Sequence, residues 1–336
     1  MDGSPKRVLI LYNLPTTPVD DPEAESDSEV VGTSEAVEAC LRAAGFATAR
    51  VGIGRDPLQV IDLVRRERPD VVFNLFEGLA DRSESESQCA GLLEWLGVPY
   101  TGSPPRALTL ARSKPLTKHL LRGAGLPTAD FFVVEDRPLS ECPLRWPVIV
   151  KLAEEDASLG LDQGSVVMDL RSLEARIDHL VARYDAPMMV EEFLNGRELS
   201  VGLIAVPELR ALPACEIVFE EREPGAWPIV TYDAKWNPGT RDYDSTPPLY
   251  PAPLEAELSE RLAELAKRAF TLLGCRDYAR VDFRLRADGS PCILEVNPNP
   301  DLSPVAGLAG QLGSAGLSHA DLVVGLVHAA AARGPR

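Results

Sequence analysis

Two carboxylates and an amide, Asp282, Glu295 and Asn297, fall within the stretch RVDFRLRADGSPCILEVNPNP and are spaced to hold a hard cation. Asp282 sits in a run that reads as a strand, Ala287-Asp288-Gly289 reads as a turn, and PCILEVN reads as the returning strand. Residues two apart on a strand point the same way, so Glu295 and Asn297 share a face, and pairing can set Asp282 beside them. Three oxygen donors around one point suit Mg²⁺ carrying nucleotide phosphates, with water and phosphate filling the remaining positions; Mn²⁺ accepts the same ligand types. The alternative, a solvated polar face, is weakened by Val281, Phe283, Leu294 and Val296, which alternate with the polar positions, and by the rigid NPNP run that follows.

Phosphates also need cations. Lys114 in ARSKPLTK and Lys151, closing the apolar run PVIVK, are the candidates, although a lysine at a strand end also reads as a snorkelling side chain. The segment EEDASLGLDQGS after Lys151 supplies Ala157, Ser158, Gly160 and Gly164, small residues whose backbone N–H groups could cradle phosphate; it matches no Walker pattern. In VEEFLNGRELS, Glu191, Glu192 and Glu198 could accept hydrogen bonds from an adenine amino group or ribose hydroxyls, with Phe193 and Leu194 giving apolar contact and backbone groups. Taken alone, that segment also reads as a charged loop.

The elements that must position these groups alternate at first. RVLILYN, ATARVGIG and DVVFNLFEG read as strands, and Glu29 to Ala44, Leu58 to Arg66 and Ser87 to Leu96 as helices, so a parallel sheet is predicted. A second unit begins near Pro104, with helices over Lys114 to Ala124 and Ser172 to Tyr184 and strands DFFVVE, WPVIVKLA and MMVEEFL. The period-two alternation of ELSVGLIAV and ACEIVFE predicts antiparallel strands. Ala226 to Pro253 reads as a long functional loop, Glu255 to Leu273 as a helix, and the chain beyond Pro298 as loop followed by a helix over Ala320 to Ala331.

With 336 residues, 45% hydrophobic and 25% charged, the chain can bury a large core. A net charge of −17 argues against a nucleic-acid surface, so any anionic ligand must be bound by local cations. Apolar runs are strand-sized, which predicts no membrane span. The short apolar run after Lys6 and Arg7 does not make a signal-peptide core, so a cytoplasmic location is expected. Six cysteines without CxxC spacing are expected to be reduced.

Taken in order, SK (113–114), PVIVK (147–151), ASLG (157–160), EEFLNGRE (191–198), DAK (233–235), ARVDF (279–283) and EVNPNP (295–300) resemble the ATP-grasp superfamily, and within it the D-alanine–D-alanine ligase group. VVFNLFEG followed by GLLEWLGVPYTGS is similar to that group's first domain, so the resemblance covers nearly the whole chain. It implies an α/β and α+β architecture: an N-terminal parallel-sheet substrate domain over 1–104, a central ATP-grasp subdomain with the phosphate-binding loop over 105–200, and a C-terminal subdomain with the metal site over 201–336. Lys114 and Lys151 would touch ATP phosphates, Glu191 and the Phe193-Leu194 backbone adenine, and Glu198 ribose. Asp282, Glu295 and Asn297 would hold magnesium, and Lys235, Arg280 and Ser158 would serve catalysis. The implied reaction joins a small-molecule carboxylate to an amine through an acylphosphate, with the 226–253 loop as lid; a homodimer is implied by analogy only.

Departures from the group cluster on the amino-acid side. Its Gly-Ser-Ser turn is Asp156-Ala157-Ser158 here, its Lys-Tyr is Lys235-Trp236, its Pro-Gly-Met-Thr run leading to a carboxylate-binding serine is Pro300-Asp301-Leu302-Ser303, and its His-Gly is Glu77-Gly78. Glu29 can stand for the group's acidic amine-binding residue. Glu77 and Asp301 would suit a cationic or amine-bearing partner, so D-alanyl-D-alanine is not the expected product. The competing reading, a non-catalytic ATP-binding regulatory or scaffold protein, is disfavoured because the set Lys114, Lys151, Lys235, Arg280, Asp282, Glu295 and Asn297 is complete.

Overall fold

The computed structural model describes residues 5–334 apart from 19, 22, 23, 81, 136, 156, 185 and 221–223. The first apolar runs form β1 (Arg7–Asn13), β2 (Ala47–Ile53) and β3 (Val71–Leu75), with α1 (Ala24–Ala43), α2 (Leu58–Glu67) and α3 (Ser85–Trp95) between and after them. The strands make a parallel sheet in the order β2-β1-β3, the helices supplying the crossovers that parallel pairing demands. β3 is buried at every position, which is why VVFNL reads as an unbroken apolar run.

Next come α4 (Pro105–Arg112), α5 (Lys114–Gly123) and a four-stranded antiparallel sheet, order β4-β7-β5-β6, made of β4 (Phe131–Val133), β5 (Val148–Leu152), β6 (Val166–Val167) and β7 (Met188–Glu192). The helix α4 was not predicted. Pro104-Pro105 has the look of a linker, yet Pro105 occupies the first helical turn, where its missing N–H costs nothing. α6 (Leu170–Val181) starts from a capping box between Asp169 and Ser172 and buries Leu173, Ile177 and Leu180 against Val148, Val150 and Val190.

The third sheet runs β11-β10-β8-β12-β13 with β9 beside β8, from β8 (Glu198–Ala205), β9 (Leu209–Ala211), β10 (Cys215–Ile217), β11 (Pro248–Leu249), β12 (Tyr278–Leu285) and β13 (Pro291–Asn297). Between β10 and β11 lie two short helices, α7 (Tyr232–Trp236) and α8 (Arg241–Asp244), so the 226–253 segment is more ordered than a plain loop. Its caps are the threonines Thr231 and Thr240, whose hydroxyls accept the N–H groups of Ala234 and Tyr243. α9 (Ala256–Leu273) lays Leu262, Leu265, Ala266 and Ala269 on Val281 and Phe283. α10 (Gly307–Ser314), read from sequence as loop, and α11 (His319–Arg333) follow. α11 packs Leu322, Val323 and Leu326 into the same core as Val8 and Phe73 of the first sheet and Val37 of α1. Among the described residues no single helix is long and apolar enough to cross a membrane.

Candidate active site

A cleft of about 1140 Å³ is lined from all three sheets. Its floor is the β12–β13 pair, where Asp282 lies opposite Glu295 and Arg280 opposite Asn297, with a bulge between Asp282 and Phe283. Arg280 donates two hydrogen bonds to Asp282, at 2.7 and 2.8 Å, and the Asn297 amide donates to Asp282 at 3.0 Å and to Glu295 at 3.4 Å. Burial opposes the Arg280 charge, but Asp282 and Glu295 outweigh it and hold the guanidinium protonated. Burial also raises the Asp282 carboxyl above its ordinary value in spite of Arg280. Glu295 behaves in the opposite way: burial disfavours its charge, yet Lys114, Lys151, Arg280 and Lys235 hold its pKa down to about 2. Two hard carboxylates on facing strands with an amide beside them, all opening on one cavity, are a donor set that fits a divalent cation.

The cations come from separate elements. Lys151 on β5 reaches Glu191 Oε2 at 2.9 Å, while Lys118 on α5 takes Glu191 Oε1 at 2.5 Å and Thr128 Oγ1 at 2.9 Å. Both oxygens of Glu191 are therefore engaged inside the protein, and only 1% of its side chain is exposed. Burial works against its ionisation and the two lysines prevail. Lys118 was missed in the sequence, although its place four residues after Lys114 in KPLTK sets the two on one helix face. Lys114 donates through Nζ to the Glu155 carbonyl and lines the cleft. Lys235 on α7 lies 4.7 Å over the Trp236 ring.

In the expected phosphate loop, Ala157 and Ser158 both hold left-handed backbones, at φ 57 and 60, a local strain that neighbouring contacts must hold in place. Trp236 Nε1 donates to the Ala157 carbonyl at 2.9 Å, and Tyr232 N to the Leu161 carbonyl at 3.0 Å, so the 226–253 segment is latched onto this loop. The Gly164 N–H is taken by Asp162 at 2.7 Å and is not turned to a ligand, while Asp156 lies outside the described residues.

The hinge after β7 is shaped by Arg284, a second residue missed in the sequence. It lies on the face of β12 that carries Arg280 and Asp282, two positions on. Its guanidinium pairs with Glu198 and donates to the carbonyls of Leu194, Gly196 and Pro228. Gly196 is required here, because a Cβ would lie 2.0 Å from the Leu285 carbonyl oxygen. Phe193 meets Trp227 edge-on at 5.2 Å, and Glu192 is paired with Arg286 at 2.9 Å.

Residues 120–328 match the family model described as the D-ala D-ala ligase C-terminus. A D-alanine–D-alanine ligase of Desulforudis audaxviator is 34% identical over 90% of this chain and 93% of its own. The chain belongs to the D-alanine–D-alanine ligase family. Membership sets the reaction class as ATP-dependent carboxylate–amine ligation and the fold as ATP-grasp. An uncharacterised protein of Sinorhizobium fredii, y4sG, is 35% identical over 77% of this chain and 74% of its own. A solved D-alanine–D-alanine ligase from Bacillus anthracis, complexed with ATP, superposes with a TM-score of 0.75 over 97% of both chains at 21% identity.

The residues expected on the amino-acid side line the same cleft, apart from Ser303. Glu29 on α1, Glu77 on the loop after β3, Trp236 and Asp301 all line the wall. The Glu77 backbone N–H donates to Asn13 Oδ1 at 3.1 Å. The Glu77 side chain is itself exposed to the cleft, and crowding by the cleft walls, together with Asp301, Glu86 and Glu29, raises its carboxyl to about 8 against the pull of Lys235. Ser303 differs from expectation: it is buried, and its hydroxyl and N–H both donate to Asp301, at 2.8 and 2.7 Å, so it fixes that carboxylate and is not itself part of the wall.

Proposed function

We propose that the cleft phosphorylates a small amino-acid-like carboxylate with ATP and passes the acyl group to an amine, forming a peptide or amide bond. The observation that carries this reading is the Asp282–Glu295 pair lying in one cleft with Lys114, Lys151, Lys235 and Arg280. Mg²⁺, or Mn²⁺ in its place, would be held by Asp282, Glu295 and the Asn297 amide oxygen, and when bound it neutralises phosphate oxygens. Lys114, Lys151 and Lys235 bind the phosphates beside Ser158, and Arg280 balances charge that develops on the transferred group. The hinge at Glu192, Phe193 and Leu194 takes the adenine and Glu198 the ribose; Glu191 acts through Lys151.

In the first step a carboxylate oxygen bonds to the γ-phosphorus as the bond to ADP breaks, and in the second the amine attacks the acyl carbon as phosphate leaves. Water must be kept from the acylphosphate between the two, and the latch between Trp236 and Ala157 supports the 226–253 segment in that task. Glu29, Glu77 and Asp301 favour an amine partner of cationic character over a second D-alanine. The division into 1–104, 105–200 and 201–336 and a cytoplasmic site of action belong to the same reading.

Purified protein given Mg-ATP and pooled amino acids should release ADP in an amine-dependent manner, and Asp282→Ala or Glu295→Ala should abolish the release. Nucleotide binding without ADP release from any pool would overturn the ligase reading.

A further inference from the structure

We infer that Lys118 is a positioning residue for the nucleotide: by holding Glu191 from the protein interior, it leaves the charge of Lys151 available to the phosphates. The inference rests on the nucleotide reading of the cleft.

Three charged side chains meet in this interior cluster, and they do not balance. Burial lowers the Lys118 pKa and its contact with Glu191 opposes that, so that with both lysines protonated Glu191 supplies one negative charge against two positive ones, each on its own carboxylate oxygen. Lys118 is 1% exposed and is absent from the cleft wall, whereas Lys151 is 16% exposed and lines it. The surplus positive charge is thus presented on the cleft side only.

Without Lys118, Glu191 and Lys151 would close into a neutral pair. Lys151 could then reach a phosphate only by leaving a carboxylate buried without a partner, which is strongly unfavourable. With Lys118 in place, Glu191 keeps one buried cation whatever Lys151 does. Thr128 accepts from Lys118 and donates to the Ile293 carbonyl at 2.8 Å, so the same cluster ties α5 to β13, the strand that carries Glu295.

The test is a calorimetric titration of Mg-ADP into the wild-type protein, Lys118→Met and the double variant Lys118→Met/Glu191→Gln, with KM for ATP measured alongside. A lost charge-assisted contact predicts that Lys118→Met binds ADP roughly tenfold or more weakly, with KM for ATP raised and kcat at saturating ATP little changed. The double variant, in which Lys151 no longer pairs with Glu191, should recover most of the affinity; a purely structural role for Lys118 predicts no recovery. If Lys118→Met does not fold, the double variant alone decides: binding within about threefold of wild type supports the inference, and binding about tenfold weaker overturns it. Wild-type affinity in Lys118→Met also overturns it. Failure of the wild-type protein to bind ADP would instead remove the nucleotide reading on which it rests.

Discussion

Replacing Arg284 by methionine should destabilise the protein by roughly 3–4 kcal/mol, the low end of the cost of removing one partner from a buried ion pair. Arg284 is 4% exposed and its partner Glu198 18%, so the carboxylate left behind keeps some access to water and the upper end is not reached. The carbonyls of Leu194, Gly196 and Pro228 lose a donor as well, adding about 1 kcal/mol where water cannot replace it. Against a total stability of about 5–15 kcal/mol the variant remains folded at room temperature, but its thermal midpoint should fall by about 5 °C. Circular dichroism on heating and urea titration measure the loss, and KM for ATP should rise because Glu198 and the hinge carbonyls are no longer held. Removing both charges, Arg284→Met with Glu198→Leu, should restore a good part of the stability without restoring KM. A loss below about 1 kcal/mol in the single variant, with KM unchanged, would refute the view that Arg284 fastens the hinge.

Glu77 binds its proton more tightly in the folded protein, near a pKa of about 8, than at its ordinary value of 4.5. Through that window the unfolded chain releases the proton first, so wild-type stability should fall as pH rises from about 5 to about 8 and then level, by a modest amount because Glu77 is exposed and water screens its neighbours. Glu77→Gln should flatten the slope, read as urea midpoints at several pH values; parallel slopes would contradict the assignment. Trp236→Phe removes the Nε1 donor to Ala157 and should loosen the latch by about 1 kcal/mol. The expected signature is more ADP released per amide formed, as water reaches the acylphosphate, and an unchanged ratio would count against a sealing role.

The shared face of Asp282, Glu295 and Asn297 was legible in the sequence because strand periodicity and a turn signal act over a few residues. The alternation around Asp282 and the spacing of Glu295 and Asn297 gave the shared face, and the register sets Asp282 directly opposite Glu295. What could not be read is that the Arg280 guanidinium closes on Asp282, its neighbour on the same strand face, because a shared face does not fix which side chains pair. Lys118 and Arg284 escaped because their partners, Glu191 and Glu198, are distant in sequence, although each shares a face with a residue that was noticed. The helix α10, GLAGQLGS, was hidden by its three glycines, which lower helix propensity. Tertiary packing overrides that preference: Leu308 and Leu312 are buried, and Gly310 leaves room for the Tyr250 ring, which a Cβ there would approach to 2.7 Å.

The placement of α11 has a consequence for how the polypeptide is made. Its leucines and valines complete the core beneath β1 and β3, and Arg333 ties the Tyr100 carbonyl to Asp277. The first sheet leaves the ribosome early, but the helix that covers Val8, Ile10 and Phe73 is translated only after most of the chain has followed. At about 5–20 residues per second, these strands wait for roughly ten to fifty seconds with α1 but not α11 on that apolar face. Nascent chains stalled ahead of residue 319 should therefore be ready clients for chaperones, and their first sheet should gain protease resistance only when α11 is supplied.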